Sequence, residues 1–199
     1  VDSGATYMDG TTDITRTYPL GPLTEDEKRF YTWTLQSHID LAKAVWLDYC
    51  ECKMIDTIAR EPLWRHLINY RCGTGHSVSF VGNVHEGPHA LNGRNTTRMR
   101  PGMVVTDEPG VYETDLVGIR IENELVCVHR ADNQYGTFLG FEPLMFVPIA
   151  TSPILPGVLD KDEIAWLNDY HRQVFAKLAP HLNDEERSWL AEKCAAIGC

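Results

Sequence analysis

The segment GIRIEN, residues 118–123, places a glutamate inside an apolar, β-rich run. Residues 118–129 are rich in isoleucine, leucine and valine, so we predict a core strand across them. An ionised carboxylate in a buried strand is costly unless it is paired or binds a metal ion. Glu122 therefore predicts a cation site beside the core.

Four further metal-ligand candidates lie upstream of this segment. Asp2 and Asp13 flank a DG dipeptide at residues 9–10, which favours a tight hairpin turn. Paired strands can bring two such carboxylates together, although aspartates beside turns are also common for local hydrogen-bonding reasons. His76 lies in a glycine-rich loop, and Glu108 precedes a PG dipeptide. Four carboxylates and one imidazole suit two divalent metal ions, such as manganese, cobalt or zinc.

The composition is that of a globular domain with a net charge that disfavours two classes of partner. The 199 residues are 43% hydrophobic and carry a net charge of -10. This charge repels phosphate backbones and anionic lipid headgroups, so we expect neither nucleic acid nor a membrane as partner. The chain lacks an apolar run of about 20 residues and an N-terminal signal pattern, so the expected location is cytoplasmic.

The cysteines follow no metal-ligand or redox spacing, and we predict that they are free thiols. They are Cys50, Cys52, Cys72, Cys127, Cys194 and Cys199.

The sequence predicts a hairpin, two helices, a β-rich stretch and two C-terminal helices, without an internal repeat, and so an α+β fold. Thr24 and Glu27 form a capping-box pattern that starts a helix reaching about residue 49. A catalytic domain over residues 1–150 and a C-terminal helical extension over residues 151–199 are the expected divisions. The remaining predicted elements are a helix over 54–70 with a kink or a break near Pro62, a strand over 103–105, and helices over 160–178 and 183–196.

Five short motifs together resemble the aminopeptidase P branch of the pita-bread metallopeptidases. The intervals between the five ligand candidates also match that family's pattern. The segments GFE at 140–142 and WLNDYH at 166–171 extend the resemblance over nearly the whole chain. The motifs are DGTTDITRT at 9–17, GTGH at 73–76, NVHEGP at 83–88, EPG at 108–110 and GIRIEN at 118–123.

The resemblance implies a ligand set for two metal ions, with manganese expected and cobalt or zinc as alternatives. Asp2 and Asp13 would bind one ion, and His76 and Glu108 the other. Asp13 and Glu122 would bridge the two. The implied reaction removes the first residue from peptides whose second residue is proline, by means of a metal-bridging hydroxide.

Three residues receive catalytic roles from the same resemblance. Glu108 would take a proton from the metal-bound water, and His85 would contact the substrate and stabilise the tetrahedral intermediate. Arg120 lies two residues before Glu122 and could orient a carboxylate. Two alternatives stay open: a prolidase that cleaves only dipeptides, and an inactive pita-bread module or fragment.

The chain also departs from the family pattern. Cys72 stands where the family usually has a histidine, and Ser77 and Ser79 replace glycines. The chain begins at the strand of the first metal aspartate, so we expect a pita-bread fold without its N-terminal part. Either that N-terminal half, as a separate chain, or a second copy in a homodimer would then cover the exposed hairpin.

Overall fold

A β-hairpin opens the chain, as the DG dipeptide predicts. It comprises β1 (Asp2–Tyr7) and β2 (Gly10–Thr15) in this computed structural model, which describes residues 1–198. Gly10 has a φ of 148°, a backbone conformation that favours glycine, and it makes the tight turn possible.

The hairpin register places the two candidate aspartates on one face. Asp2 pairs with Thr15, and Gly4 pairs with Asp13. Directly paired residues share a face of the sheet, and so do residues two apart along a strand. Asp2 and Asp13 therefore project from the same side of the hairpin.

The main sheet has six antiparallel strands in the order β3-β10-β9-β6-β4-β5, and β7 and β8 form a separate pair. This mixture of sheet and helix confirms the predicted α+β class. The strands are β3 (Val45–Leu47), β4 (Gly75–Ser77), β5 (Glu86–Leu91), β6 (Val104–Asp107), β7 (Gly110–Glu113), β8 (Val117–Arg120), β9 (Asn123–Asn133) and β10 (Gly136–Pro143).

The prediction of a single strand across residues 118–129 is wrong, because the strand is interrupted at residues 121–122. We call this interruption the strand break. β8 pairs with β7, whereas β9 joins the main sheet between β6 and β10. Glu122 thus lies in the link between two strands rather than inside one. It is nevertheless 1% exposed, so the predicted burial is confirmed.

The first helix begins where its capping residues predict, and the first two helices end earlier than expected. The helix predicted over 160–178 ends at residue 178 as expected, and the helix predicted to reach residue 196 ends at residue 193. Thr24 and Glu27 form the predicted capping box. The first helix stops at residue 42 rather than 49, because residues 45–47 pair with β10. The second helix stops at residue 64 rather than 70. The four helices are α1 (Glu25–Ala42), α2 (Cys52–Trp64), α3 (Lys161–Leu178) and α4 (Asp184–Lys193).

Helix α1 contributes to both of the larger cores. Its C-terminal residues Leu41 and Ala42 pack with α2 and the main sheet. Leu35 and Ile39 pack instead with α3 and with the isoleucines around the strand break. The C-terminal helices thus share a core with α1, and the predicted division at residue 150 stays a prediction.

Two global properties follow from the described part of the chain. None of the helices in residues 1–198 combines the length and the hydropathy that crossing a bilayer requires. The five cysteines that the structure describes are free, as predicted. The sixth, Cys199, lies outside the described residues.

Candidate metal centre

All five predicted metal ligands line one cavity of about 640 Å³. His85 and Arg120, the residues predicted to assist catalysis, line it as well. The ligands come from the hairpin, from β4, from the link between β6 and β7, and from the break between β8 and β9. Four separate segments therefore converge on one polar site, and the assignment of these side chains to metal ions stays a prediction.

Asp13, His76 and Glu122 form the inner cluster. Each offers one ligand atom, and these atoms lie within 4.8 Å of one another. His76 Nε2 lies 3.6 Å from Asp13 Oδ2 and 3.2 Å from Glu108 Oε1. His76 Nδ1 lies 3.1 Å from the carbonyl oxygen of Ser77, which can only accept, so Nδ1 carries the hydrogen. This hydrogen bond leaves Nε2 available to a cation.

Glu122 provides the test of whether the cavity fits a metal ion. Its Oε2 accepts a 2.6 Å hydrogen bond from Thr15 Oγ1. Its Oε1 is buried and has no partner among residues 1–198. Burial raises the pKa of Glu122 to about 8, and the nearby carboxylates of Glu108 and Asp13 also raise it. An unpaired buried oxygen in a cluster of carboxylates is the environment that a divalent cation would satisfy.

The pKa values of Asp13 and His76 are also raised, which indicates the same excess of negative charge in the cluster. Desolvation raises the pKa of Asp13, and the carboxylates of Asp2 and Glu108 add to the increase. Desolvation by itself would lower the pKa of His76. The hydrogen bonds to Glu108 and to the Ser77 carbonyl outweigh it, and the pKa of His76 is raised. A bound cation would relieve this repulsion.

Glu108 reaches the cluster because β4 and β6 approach closely. A Cβ atom on Gly75 would lie 1.7 Å from the carbonyl oxygen of Thr106, so only glycine fits there. The hydroxyl of Thr106 accepts from the amide of His76 at 3.0 Å and donates to Glu108 Oε1 at 3.0 Å. Thr106 thus fixes two predicted ligands, and sequence reasoning missed it.

Arg120 holds the outermost ligand. Its Nη2 forms an ion pair with Asp2, the most exposed of the five ligand side chains. Its Nε donates to Thr15 Oγ1 at 3.0 Å, and its Nη1 donates to Tyr112 Oη at 2.9 Å. The predicted contact between Arg120 and a carboxylate therefore occurs, with Asp2 as the main partner. Glu122 lies farther away, at 3.9 Å.

His85 lies beside the cluster rather than in it. Its ring centroid is 3.9 Å from that of His76, with the ring planes at 64°. His85 is exposed, and the loop that carries it lines the cavity. This position suits contact with a ligand in the cavity, and the catalytic role stays a prediction.

The three residues that depart from the family pattern lie near the site, and the Ser79 side chain makes a hydrogen bond that glycine could not make. Ser77 supplies the carbonyl that orients His76. Ser79 Oγ donates to the carbonyl oxygen of Asn83 at 2.8 Å and so ties together the loop that leads to His85. Cys72 is exposed, and its pKa is raised by partial burial and by the charge of Glu108. The Cys72 thiol thus lies within electrostatic range of the site.

Comparison with known sequences identifies close similarities over the whole chain. Residues 1–129 match the profile described as metallopeptidase family M24, and residues 137–197 match the profile of its C-terminal region. Aminopeptidase P1 of Lotus japonicus is 42% identical over 99% of this chain and 31% of its own length. Aminopeptidase P2 of Arabidopsis thaliana is 44% identical over 96% of this chain and 28% of its own. The chain thus spans less than a third of these relatives.

Solved structures show the same likeness. An X-prolyl aminopeptidase from Caenorhabditis elegans, described as a cytosolic enzyme with a di-nuclear active site, matches with a TM-score of 0.93 and 39% identity. The match covers 98% of this chain and 33% of that one. A prolidase from Pyrococcus furiosus matches with a TM-score of 0.62 and 29% identity, over 72% of this chain and 39% of the prolidase.

Proposed function

The chain belongs to metallopeptidase family M24, and from that premise we propose that it carries the dinuclear metal centre of an Xaa-Pro aminopeptidase. One observation carries the proposal: five candidate metal-ligand side chains from four segments line a single cavity, in which one buried oxygen of Glu122 has no hydrogen-bond partner among residues 1–198. The substrates would be peptides whose second residue is proline. The aminopeptidase P names of its relatives support this choice.

Each ion would have its own ligands and two shared ones. Asp2 and Asp13 would hold the first ion, and His76 and Glu108 the second. Asp13 and Glu122 would be shared by the two ions, and one ligand atom of each lies within 4.8 Å of the other and of His76. Manganese is the proposed metal because the site is rich in carboxylate oxygens, and cobalt and zinc are the alternatives.

The side chains around the ions have separate tasks. When bound, two divalent ions would polarise the scissile carbonyl group and lower the pKa of water. Glu108 Oε1 is held by Thr106, which leaves its Oε2 to accept a proton during the reaction. His85 would donate a hydrogen bond to the substrate, and Arg120 would hold Asp2 in place.

The two alternatives to an Xaa-Pro aminopeptidase are a prolidase and an inactive module. The match to the P. furiosus prolidase covers 72% of this chain, whereas the match to the C. elegans aminopeptidase covers 98% and so includes the C-terminal helices. All five ligand residues are present, whereas an inactive module would be free to lose them. We also propose a cytosolic location, as described for the C. elegans enzyme. The homodimer and the N-terminal half expected from the sequence stay predictions.

Metal analysis and peptide hydrolysis test the proposal together. The purified chain is loaded with Mn²⁺, Co²⁺ or Zn²⁺, and its metal content is measured after removal of free ions. Release of arginine from Arg-Pro-Pro is then followed. We expect two ions per chain and weak cleavage of this tripeptide, since the chain spans less than a third of its aminopeptidase P relatives. A prolidase would cleave only dipeptides. Asp13→Asn serves as the control that cannot bridge the ions. A chain that binds no divalent ion contradicts the proposal.

A further inference from the structure

Behind the metal cavity lies a buried row of polar side chains: Asp107, His38, Asn123, Arg16 and Tyr170. We call it the polar row. His38 Nδ1 lies 3.1 Å from Asp107 Oδ2 and 3.3 Å from the Asp107 carbonyl oxygen. Asn123 Nδ2 lies 3.3 Å from His38 Nε2, and Asn123 Oδ1 accepts from Arg16 Nη2 at 2.7 Å. Arg16 also donates to Tyr170 Oη at 2.9 Å. All five side chains are at most 3% exposed.

The polar row runs beside the proposed metal ligands in sequence. Asp107 immediately precedes Glu108, and Asn123 immediately follows Glu122. Asp107 and Asn123 are also paired across β6 and β9. His38, on α1, contacts both members of this pair. It therefore joins the two strand ends from which Glu108 and Glu122 enter the cavity.

Arg16 connects the hairpin to the strand break by hydrogen bonds. Its Nη1 donates to the carbonyl oxygens of Thr15 and Glu122, the first at 2.9 Å. Its Nη2 and Nε donate to the carbonyl oxygens of Val147 and Pro148, at 2.8 Å and 3.2 Å. A buried guanidinium with so many fixed acceptors has little freedom to move. The hairpin and the strand break are thus joined from behind.

A polar group in a core can also serve stability alone, and His171 provides that comparison. Like His38 it is 0% exposed, and its Nε2 accepts from the amide of Ile149 at 3.1 Å. Among residues 1–198 the His171 side chain makes a hydrogen bond only with this amide. It therefore has no hydrogen bond with the polar row. Two equally buried histidines therefore differ in whether they contact the residues next to the ligands.

We propose that His38 and Asn123 are positioning residues of the metal centre. This inference rests on the proposed function. His38 holds the strand ends at the separation that Glu108 and Glu122 need to bind the same ion, and Asn123 transmits that constraint to Arg16. Partners of metal ligands typically change metal affinity by about 10- to 100-fold when they are lost.

A matched pair of variants tests the inference on the 199-residue chain. His38→Ala and His171→Ala are titrated with Mn²⁺ by calorimetry, and the absorption spectrum of each Co²⁺ form is recorded. We expect His38→Ala to bind at least one ion about 10- to 100-fold more weakly and to change the Co²⁺ spectrum. His171→Ala should keep the affinity and spectrum of the unmodified chain, although its thermal unfolding temperature falls. His38→Gln, whose amide oxygen can accept from Asn123, should recover part of the affinity.

The outcomes separate this inference from the proposed function. If the unmodified chain binds two ions and His38→Ala binds them with equal affinity and an unchanged spectrum, the inference is wrong and the proposed function stands. The inference is also wrong if both histidine variants weaken binding to the same extent. An unmodified chain that binds none of Mn²⁺, Co²⁺ and Zn²⁺ overturns both. Should His38→Ala fail to fold, His38→Phe fills the volume without ring nitrogens, and His171→Phe is its control.

Discussion

The strand break at residues 121–122 and the start of α3 each bury a glutamate, and the two differ in their hydrogen bonds. Glu163, on α3, is 2% exposed, and its carboxylate accepts from Gln36 Nε2 at 3.0 and 3.1 Å. Its Oε2 also accepts from the amide of Asp160 at 2.7 Å, in a capping box. Glu122 is 1% exposed and has one hydrogen bond from Thr15, while its other oxygen has none among residues 1–198.

This difference distinguishes a structural carboxylate from one that awaits a cation. Burial raises the pKa of both groups, so burial alone does not separate them. The neighbours do. Glu163 has two carboxylates near it, those of Asp160 and Asp40, but it accepts hydrogen bonds from two donor groups. Glu122 faces the carboxylates of Asp13 and Glu108 with one donor. A buried carboxyl group with one donor and two carboxylate neighbours carries its charge at neutral pH only when a cation lies close to it.

Replacing Glu122 by glutamine breaks the comparison most directly, and we expect the largest effect from it. The amide removes a shared negative charge and presents N–H groups to the ions, so metal content and Xaa-Pro hydrolysis should both be lost. In the metal-free chain the unfolding free energy should not fall, because one repelling carboxylate is gone. Metal analysis and urea denaturation measure the two effects. Retention of two ions by Glu122→Gln would show that Glu122 does not bridge them.

His85→Ala sharpens the comparison within the metal region. His85 contacts the ring of His76 but contributes no atom to the inner cluster, so metal content should be unchanged. Turnover of Arg-Pro-Pro should fall by about 10²- to 10⁴-fold, the usual contribution of a hydrogen-bonding or proton-transferring side chain. The experiment measures bound metal and turnover in the same sample. Loss of the metals in His85→Ala would mean that His85 is a ligand.

Acid titration of stability sharpens the comparison on the side of the C-terminal helices. Burial, together with the charge of Arg16, lowers the pKa of His171 to about 4, from an ordinary value of 6.5. Between pH 6.5 and 4 the unfolded chain binds this proton and the folded chain does not. Stability therefore falls as the pH falls through that window, by about 3 kcal/mol in all.

The variant His171→Phe isolates this contribution. It removes the titrating ring, so its unfolding free energy should depend less on pH between 6.5 and 4 than that of the unmodified chain. Urea denaturation at several pH values in the absence of metal gives both curves. Parallel curves would show that His171 titrates alike in the folded and unfolded chains.

Glu163→Gln should have the smallest effect. The amide keeps one acceptor oxygen but turns an N–H₂ group toward a donor, which costs about 1 kcal/mol of stability. The thermal unfolding temperature should fall by a few degrees, as expected for a chain of this size. Metal content and turnover should stay at the values of the unmodified chain. A loss of metal in Glu163→Gln would remove the distinction between the two buried glutamates.

Sequence reasoning succeeded where a short segment carries its own signal. The pita-bread fold expected from the family resemblance is confirmed by the likeness to the C. elegans structure. The hairpin at residues 9–10 and the capping box of Thr24 are confirmed because turns and caps depend on residues a few positions apart.

The errors concern pairing between distant segments. Residues 45–47 continue an apolar helical pattern, yet they form β3 because they pair with β10 at the edge of the main sheet. Residues 118–129 are uniformly β-prone, so nothing in their composition marks the break at residues 121–122. In the folded chain the first part of this stretch pairs with β7 and the second part joins the main sheet. Only the tertiary structure shows this division.

Sequence by itself determined the identity and spacing of the metal-ligand candidates, the family and the local turns and caps, since each depends on residue types within short motifs. Tertiary structure alone decided which oxygen of Glu122 stays unpaired and which side chains support the site from behind. Thr15 and Glu122 are 107 residues apart, and His38 and Asn123 are 85 apart. Contacts over such separations form only when the sheet and α1 close around one core, and no local pattern encodes them.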